Sequence, residues 1–567
     1  MNEHKAVAIV GLGAILPDAA DVPSFWKNIQ SGRYSISEVP PERWDPKDYY
    51  DPDPSAPDKT YAKIGAWVRG FKFDFLKWGI PIPPTTLTLI DQAQQWAIAA
   101  SRQALLDYGY QQRKFDPQRT AVIFGNAMAG ENHYATSLRI RAPQYMKALS
   151  EVPEFQDLPA ALQQALLEGM RAGIRRQVPA VTEDTMPGEL SNVIAGRVAN
   201  VFNLSGPNFV TDAACASSFA ALQAAMAGLV EKQFDYALTG GIDRNMGAES
   251  FVKFCKIGAL SPDGSRPYAE GANGFVMGEG GAVFLLKRLE DAERDGDKIY
   301  AVVRGVGGSS DGKGKGITAP NPLGQQRAIE RAWQDAGLSP ATAGYFEGHG
   351  TSTKVGDVAE VQSLNNVLAP LGLKAGQIGL GSVKSNIGHL KSAAGAAGLL
   401  KTILSLHEKT LLPSVNFERP NPEIDFAHLP VRVETVAHEW QRPSEGVRRA
   451  GISSFGFGGT NFHVVIEEYL PGLLLRSEKH SFPSVALGSQ AAAFQPQPAP
   501  SVAAVPAAAT VPTVAKGAGK APYRGLLFLS ANSSDELKQS LTEAIEQARQ
   551  GRLPLRQLPD PAQVAAP

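Results

Sequence analysis

Cysteine is scarce in this chain of 567 residues, which holds only Cys215 and Cys255. Two thiols make no disulfide framework, and their spacing offers no Cys-x-x-Cys zinc pairing, so a reducing compartment is expected. Excess charge of one sign is missing too. Lys and Arg number 55 against 56 Asp and Glu, a formal net charge of -1, which argues against electrostatic attraction to nucleic acid or anionic lipid. No stretch approaches the ~18 consecutive apolar residues of a membrane span. Residues 1–5 run straight into a strand-like 6–10, without the n-region, h-region and cleavage site of a leader. The expectation is a soluble, cytoplasmic protein with no nucleic-acid or membrane partner.

A phosphate loop is also lacking. Residues 6–13, Ala-Val-Ala-Ile-Val-Gly-Leu-Gly, read as a buried strand entering a tight turn. The dinucleotide fingerprint fails at its third glycine, where Leu16 stands, and Pro17 breaks the helix that would receive a pyrophosphate. No Gly-Lys-Ser/Thr follows a glycine cluster at Walker spacing, so Gly240-Gly241 and the glycines of 271–281 are assigned to tight turns and close backbone packing.

What is present is an alternation of α and β segments. Residues 92–108 predict an amphipathic helix ending at Asp-Tyr-Gly, and 119–125 a strand. Residues 131–185, with prolines at 143, 153, 159 and 179, read as a helical surface insertion, a lid or an entrance. Strands are expected at 236–239, 282–286, 299–306 and 344–347, and helices at 325–335 and 392–407. Helix, Asp-Ala-Gly and strand between 325 and 347 echo the order found between 92 and 125, which suggests two similar α/β halves, 1–290 and 291–470. Residues 490–520 are an Ala/Pro/Val tract too poor in core-forming residues to order, so 471–523 is expected to be a flexible linker. A strand at 525–530 and a helix at 534–550 should follow, with 554–567 again irregular.

Cys215 lies where a strand-like stretch meets apolar residues at helical spacing, Phe219, Leu222, Met226 and Val230. A helix start favours negative charge and lowers a thiol's pKa, which suits a nucleophile; alone, this residue reads first as a structural thiol in a small-residue core. His349 in Glu-Gly-His-Gly-Thr-Ser-Thr and His389 in Lys-Ser-Asn-Ile-Gly-His-Leu each follow a strand among glycines, the setting an exposed functional side chain needs. No His-x3-His or Cys-x-x-Cys spacing supports a metal site. The third glycine cluster, Phe455-Gly-Phe457-Gly-Gly, reads either as a tight core turn or as a mobile loop offering an N–H to an oxyanion.

Together, Asp212-Ala-Ala-Cys215-Ala-Ser-Ser, Glu347-Gly-His349-Gly-Thr-Ser-Thr-Lys-Val-Gly-Asp357, Gly381-Ser-Val-Lys384-Ser-Asn-Ile-Gly-His389 and Phe455-Gly-Phe-Gly-Gly-Thr-Asn461 resemble the four signatures of β-ketoacyl synthases, in that family's order and spacing. The likeness runs from about Ala6 to Glu468 and is nearest to ketosynthases of polyketide and polyunsaturated-fatty-acid synthases. It implies an α/β thiolase fold, two βαβαβαββ halves in five layers (αβαβα), usually a homodimer. Cys215 would take an acyl group from the phosphopantetheine of an acyl carrier protein, with no cofactor or metal bound by this chain. His349 and His389 would assist decarboxylation of a malonyl-type unit, and Lys384, pairing with Glu360, would shape the electrostatics. Thr351 and Thr353 would bond the pantetheine arm, the amides of Cys215 and Phe457 would form the oxyanion hole, and Phe455 and Phe457 would act as gates. Met128 would help to set acyl chain length. Residues 524–567 resemble the start of a ketosynthase-to-acyltransferase linker, which implies an acyltransferase and other synthase domains downstream. The sequence departs from the family at Gly348, Val358, Phe462 and the 131–185 segment, and the last two are expected to alter the pocket or the carrier-docking surface. A thiolase acting on coenzyme A esters would need a second cysteine near the C-terminal glycine loop, where Cys255 is not placed; a non-elongating scaffold or chain-length partner would usually lose Cys215 or a histidine.

Overall fold

Period-two burial in the strands sets the layers. In β1 (Val7–Ile15) every residue is buried. Val7 and Ile9 belong to one apolar cluster while Ala8 and Val10 belong to another, so the strand is covered on both faces. The protein is described from a computed structural model covering residues 6–474, save 315 and 445, and 533–550. Ten further strands join β1 in one sheet: β2 (Thr120–Gly125), β3 (Asn208–Thr211), β4 (Tyr236–Asp243), β5 (Gly280–Arg288), β6 (Ala301–Ser310), β7 (Tyr345–Glu347), β8 (Ile378–Gly381), β9 (Val431–Val433), β10 (Arg449–Gly456) and β11 (Thr460–Glu467).

Their spatial order, β9-β8-β7-β10-β11-β6-β1-β5-β4-β2-β3, contains the same pattern twice. Outward from β1 the order is first, fifth, fourth, second, third; outward from β6 it repeats through β11, β10, β7 and β8, with β9 added at the edge. Strand directions repeat as well. β2 lies parallel to β3 and β4, as β7 does to β8 and β10; the added edge strand β9 runs parallel to β8, and the remaining neighbours within each half are antiparallel. The halves join where Val7, Ala8 and Ile9 pair with Val303, Val302 and Ala301.

Helices complete the five expected layers. α1 (Gln92–Tyr108) has the predicted bounds, its start capped by the Asp91 carboxylate and its end by left-handed Gly109. Next come α2 (Asn132–Ser150), with Thr136, Ala142 and Met146 buried, and α3 (Ala160–Gln177), with no buried residue. α4 (Ser191–Val201) shares an outer apolar cluster with α1. α5 (Ser217–Val230) lies in the middle layer; α6 (Pro322–Ala336) and α7 (Gly356–Leu368) share the opposite outer cluster. α8 (Ala394–His407), buried throughout residues 394–406, is the second middle helix. Apart from these, α9 (Ser534–Arg549) is a helix at the predicted place, with Leu537, Leu541 and Ile545 exposed. The expected linker at 490–520, strand at 525–530 and irregular 554–567 lie outside the described residues.

Gly240-Gly241 is not a turn but part of β4. A Cβ at Gly240 would stand 2.0 Å from the Ala282 carbonyl oxygen, and one at Gly241 2.7 Å from that of Ser392, so both glycines serve close backbone approach. The glycines of the failed dinucleotide fingerprint have the same role. Cβ atoms at Gly11 and Gly13 would lie 2.3 and 1.9 Å from carbonyl oxygens of Ala104 and Ala100 in α1. Gly13→Ala is therefore expected to cost about 3 kcal/mol of stability through overpacking, read as a lower denaturant midpoint at unchanged slope.

Candidate active site

The signature residues lie just beyond the C-terminal ends of the parallel strands, Cys215 after β3, His349 after β7, and Lys384 and His389 after β8. Cys215 occupies a single turn, Ala214–Ala216, ahead of α5. Ala214 is held at φ +49, a left-handed conformation unusual for a side-chain-bearing residue. Local and distant groups hold this turn. The Asp212 carboxylate accepts the Ala214 N–H at 2.9 Å, and Ser217 Oγ accepts the Ala213 N–H at 2.9 Å and donates to the Ala214 carbonyl at 2.6 Å. From the other half, Ser454 Oγ donates to the Cys215 carbonyl at 2.7 Å and Thr460 Oγ1 to that of Ala213 at 2.9 Å. In the sequence Thr460 stands out only as part of a glycine-rich motif and Ser454 as the residue just before it; hydroxyls beside glycines were the available signal for this clamp.

The thiol and both imidazoles converge, with Cys215 Sγ and a ring nitrogen each of His349 and His389 all within 4.8 Å of one another. Gly388, at φ +66 and with a Cβ position 2.7 Å from the Val276 carbonyl oxygen, lets the chain turn into His389. His389 Nδ1 accepts the Lys391 N–H at 3.0 Å, so the neutral ring carries its proton on Nε2. His349 Nδ1 is buried with no hydrogen-bond partner among the described residues, and its ring stands 5.3 Å from that of His389, edge to face. Burial and then the Lys384 charge hold both imidazoles well below the ordinary histidine range, so both are neutral at pH 7.

Two electrostatic expectations need correction. Burial pushes the Cys215 thiol up to about 11, against the depression expected at a helix start, and the Lys384 charge and the Phe457 N–H only partly reverse this. Nor do Lys384 and Glu360 pair directly. Among the described residues Lys384 has no ion pair within 4.0 Å; it is felt by Glu347 first and Glu360 second through space, while burial lowers its own pKa. The Glu360 carboxylate instead accepts the N–H groups of His349 and Gly350, at 2.5 and 2.7 Å, and the Tyr268 hydroxyl at 2.9 Å. A thiol with two imidazoles is also a zinc donor set, one that linear spacing did not reveal. The Lys384 ammonium, whose field reaches all three groups, opposes a second cation there.

These groups open on a cavity of about 560 Å³. Thr351 and Thr353 line it with hydroxyls 3.0 Å apart, and Phe455, Phe457 and Glu360 also contribute. Phe455 is buried with its ring 5.6 Å from that of His349, whereas Phe457 is 38% exposed. Met128 lines the cavity from a left-handed turn, φ +63, and is exposed rather than a core methionine. Lys384 does not line it, and neither does any residue of 131–185 or Phe462, which packs on the central core with its ring over Gly308. Sequence reasoning missed the Lys391–Asp243 ion pair, 3.0 Å and largely buried, which forms part of the cavity wall. The one hint was a lysine two residues after His389.

Fold and site together define a thiolase-fold protein built around one thiol and two neutral imidazoles. Residues 4–292 match the β-ketoacyl synthase N-terminal domain, 300–418 the β-ketoacyl synthase C-terminal domain, and 420–493 the ketoacyl-synthetase C-terminal extension. The chain belongs to the β-ketoacyl synthase family. It is 36% identical over 470 residues to polyketide synthase PksL of Bacillus subtilis, covering 82% of this chain and 9% of that protein. It is also 36% identical over 473 residues to a polyunsaturated fatty acid synthase polypeptide of a Thraustochytrium species, covering 82% of this chain and 16% of the other. The ketosynthase from module 6 of the Bacillus subtilis bacillaene synthase superposes with a TM-score of 0.68 at 34% identity, covering 82% of this chain and 73% of that one. The chain thus spans a small part of the length of the two synthases.

Because the Lys384 charge lowers the thiol's pKa, removing it leaves less thiolate at a given pH. Lys384→Met is expected to slow alkylation of Cys215 by iodoacetamide about tenfold at pH 7.5, measured by intact-protein mass against time.

Proposed function

We propose that this chain is a decarboxylating ketosynthase of a polyketide or polyunsaturated-fatty-acid synthase. The carrying observation is the convergence of one thiol and two neutral imidazoles on a single cavity. In the first half-reaction Cys215 Sγ attacks the thioester of an acyl group carried on phosphopantetheine, and the carrier thiol leaves. In the second, a carrier-bound malonyl unit enters beside Thr351 and Thr353. Its C–C bond to the carboxylate breaks, carbon dioxide departs, and the electron pair passes into an enolate whose oxygen accepts N–H bonds from the two imidazoles. The enolate carbon then attacks the Cys215 thioester. The tetrahedral oxyanion is held by the N–H groups of Cys215 and Phe457, and its collapse expels the Cys215 sulfur. Dividing one difficult condensation into two steps is the gain of covalent catalysis, and neutral imidazoles aimed at developing negative charge supply its electrostatic part. Phe455 and Phe457 gate the cavity, and Met128 bounds the acyl end.

The partners follow from the same reading. Substrates arrive on an acyl carrier protein, and an acyltransferase and further synthase domains work with this one, as suits relatives many times longer than the matched region. A second copy adds across β3. That strand ends the sheet with Phe209 39% exposed, and an unpaired edge is a template for strand addition. The scaffold alternative is not favoured, since Cys215 and both histidines are present and converge.

Cys215→Ala is expected to abolish acylation by a thioester donor, judged by intact-protein mass. His349→Ala should still take up the acyl group but lose condensation by at least about a hundredfold; full condensation by that variant would remove His349 from the mechanism. Phe209→Asp should convert a sedimenting dimer into a monomer.

A further inference from the structure

Residues 348–353, which carry His349, form no helix or strand of their own. Their hold comes largely from elsewhere. Glu360 of α7 takes the His349 and Gly350 N–H groups at 2.5 and 2.7 Å. Glu360 is itself held by the Tyr268 hydroxyl, 2.9 Å from Oε2. Tyr268 is fully buried and sits at φ +63, a strained conformation that persists only where surrounding contacts over-determine it. Those contacts are present: its N–H donates to Asp357 Oδ2 at 2.7 Å, and its carbonyl accepts the Asn421 N–H at 2.9 Å. Asp357 Oδ1 also accepts the Ser352 N–H at 3.1 Å, so one tyrosine and two carboxylates of α7 cradle both ends of the turn.

The hydroxyl occupies space that exists because residue 348 is glycine. A Cβ there would lie 1.8 Å from the Tyr268 oxygen, and 3.1 Å from Glu360 Oε1. Gly348 is not among the residues of positive φ, so the backbone does not itself demand glycine at this position. Tyr268 does not line the cavity. Its influence on the chemistry must pass through Glu360 and the turn.

We propose that Tyr268 is a positioning residue of this site: its hydroxyl, seated over Gly348, holds Glu360 in the orientation that fixes the His349 and Gly350 amides, and so sets where the His349 imidazole meets substrate. The chemical consequence rests on the ketosynthase reading, whereas the geometric one does not.

Tyr268→Phe, Gly348→Ala and the double variant test this on the full chain. Tyr268→Phe is expected to acylate Cys215 at the wild-type rate but to decarboxylate a malonyl carrier protein about tenfold more slowly at unchanged KM. Amide exchange in a peptide spanning 347–353 should quicken. Gly348→Ala should lower the melting temperature through the clash. Adding Tyr268→Phe should restore the melting temperature but not decarboxylation. Recovery of wild-type decarboxylation by the double variant would show that the hydroxyl merely fills space, and would overturn the proposal. So would a Tyr268→Phe protein with unaltered decarboxylation and exchange. If the wild-type chain neither takes up acyl groups nor decarboxylates, the ketosynthase reading fails, and exchange over 347–353 still decides the positioning.

Discussion

The Ser218 hydroxyl, buried in the middle layer, accepts the Ala396 N–H at 3.0 Å and so ties the start of α5 to the start of α8. The site depends on this contact, because Cys215 stands just before α5 and His389 just before α8. Small residues make the approach possible. A Cβ at Gly395 would lie 2.7 Å from Ser218 Oγ, and one at Gly125 2.3 Å from the Ser218 nitrogen. Larger side chains at these places would part the two helix starts, and with them the thiol and the imidazole that must act on one substrate.

That meeting also sets the electrostatics. Two helix N-termini face the cavity, and each carries partial positive charge; the buried Lys384 ammonium adds a full one. Such a field opposes an imidazolium, in keeping with two neutral histidines, and favours negative charge wherever it appears. The resting thiol bears no such charge, since burial pushes it up to about 11. The enolate and the tetrahedral oxyanion do bear it. An arrangement that leaves the ground state uncharged and receives an anion only as reaction proceeds is stronger in the transition state than before it, which is what acceleration requires.

Much of this was legible in linear form, for physical reasons. The bounds of α1 follow from its Asp91 cap and Gly109 stop, both local signals. The four motifs are legible because backbone turns beside reactive groups demand glycine at fixed offsets. What was not legible depends on residues distant in sequence. Gly240-Gly241 read as a turn because a glycine inside a strand, needed for close approach to Ala282, looks the same in sequence as one in a turn. The Lys384–Glu360 pairing failed because Glu360 is taken up by backbone amides, which no side-chain pattern announces. Lys391 meets Asp243 beside a Ser392–Asp243 bond that spans 149 positions, and the Ser454–Cys215 clamp spans 239, separations over which no local pattern carries information.

The repeated strand order explains why the two halves share the work unequally. β3 and β8 are counterparts, so Cys215 and His389 occupy equivalent strand-to-helix turns, one as thiol and one as imidazole. β2 and β7 are counterparts as well. Beyond β7 stands His349, while beyond β2 the equivalent stretch offers Ala127 and left-handed Met128, which shape the cavity wall instead. The third pair differs most. β10 and β11 are joined by a tight turn carrying Phe457, whereas the connection from β4 to β5, residues 244–279, is a long excursion. It crosses to the other half: the Arg266 N–H reaches Ser352 Oγ at 2.9 Å, the Gly274 N–H the Ser352 carbonyl at 2.9 Å, and Tyr268 the Glu360 carboxylate. The half that provides the thiol therefore also supplies the bracing for the imidazole of the other. Each half is incomplete alone, because the turn that carries its reactive group is held by side chains of both halves.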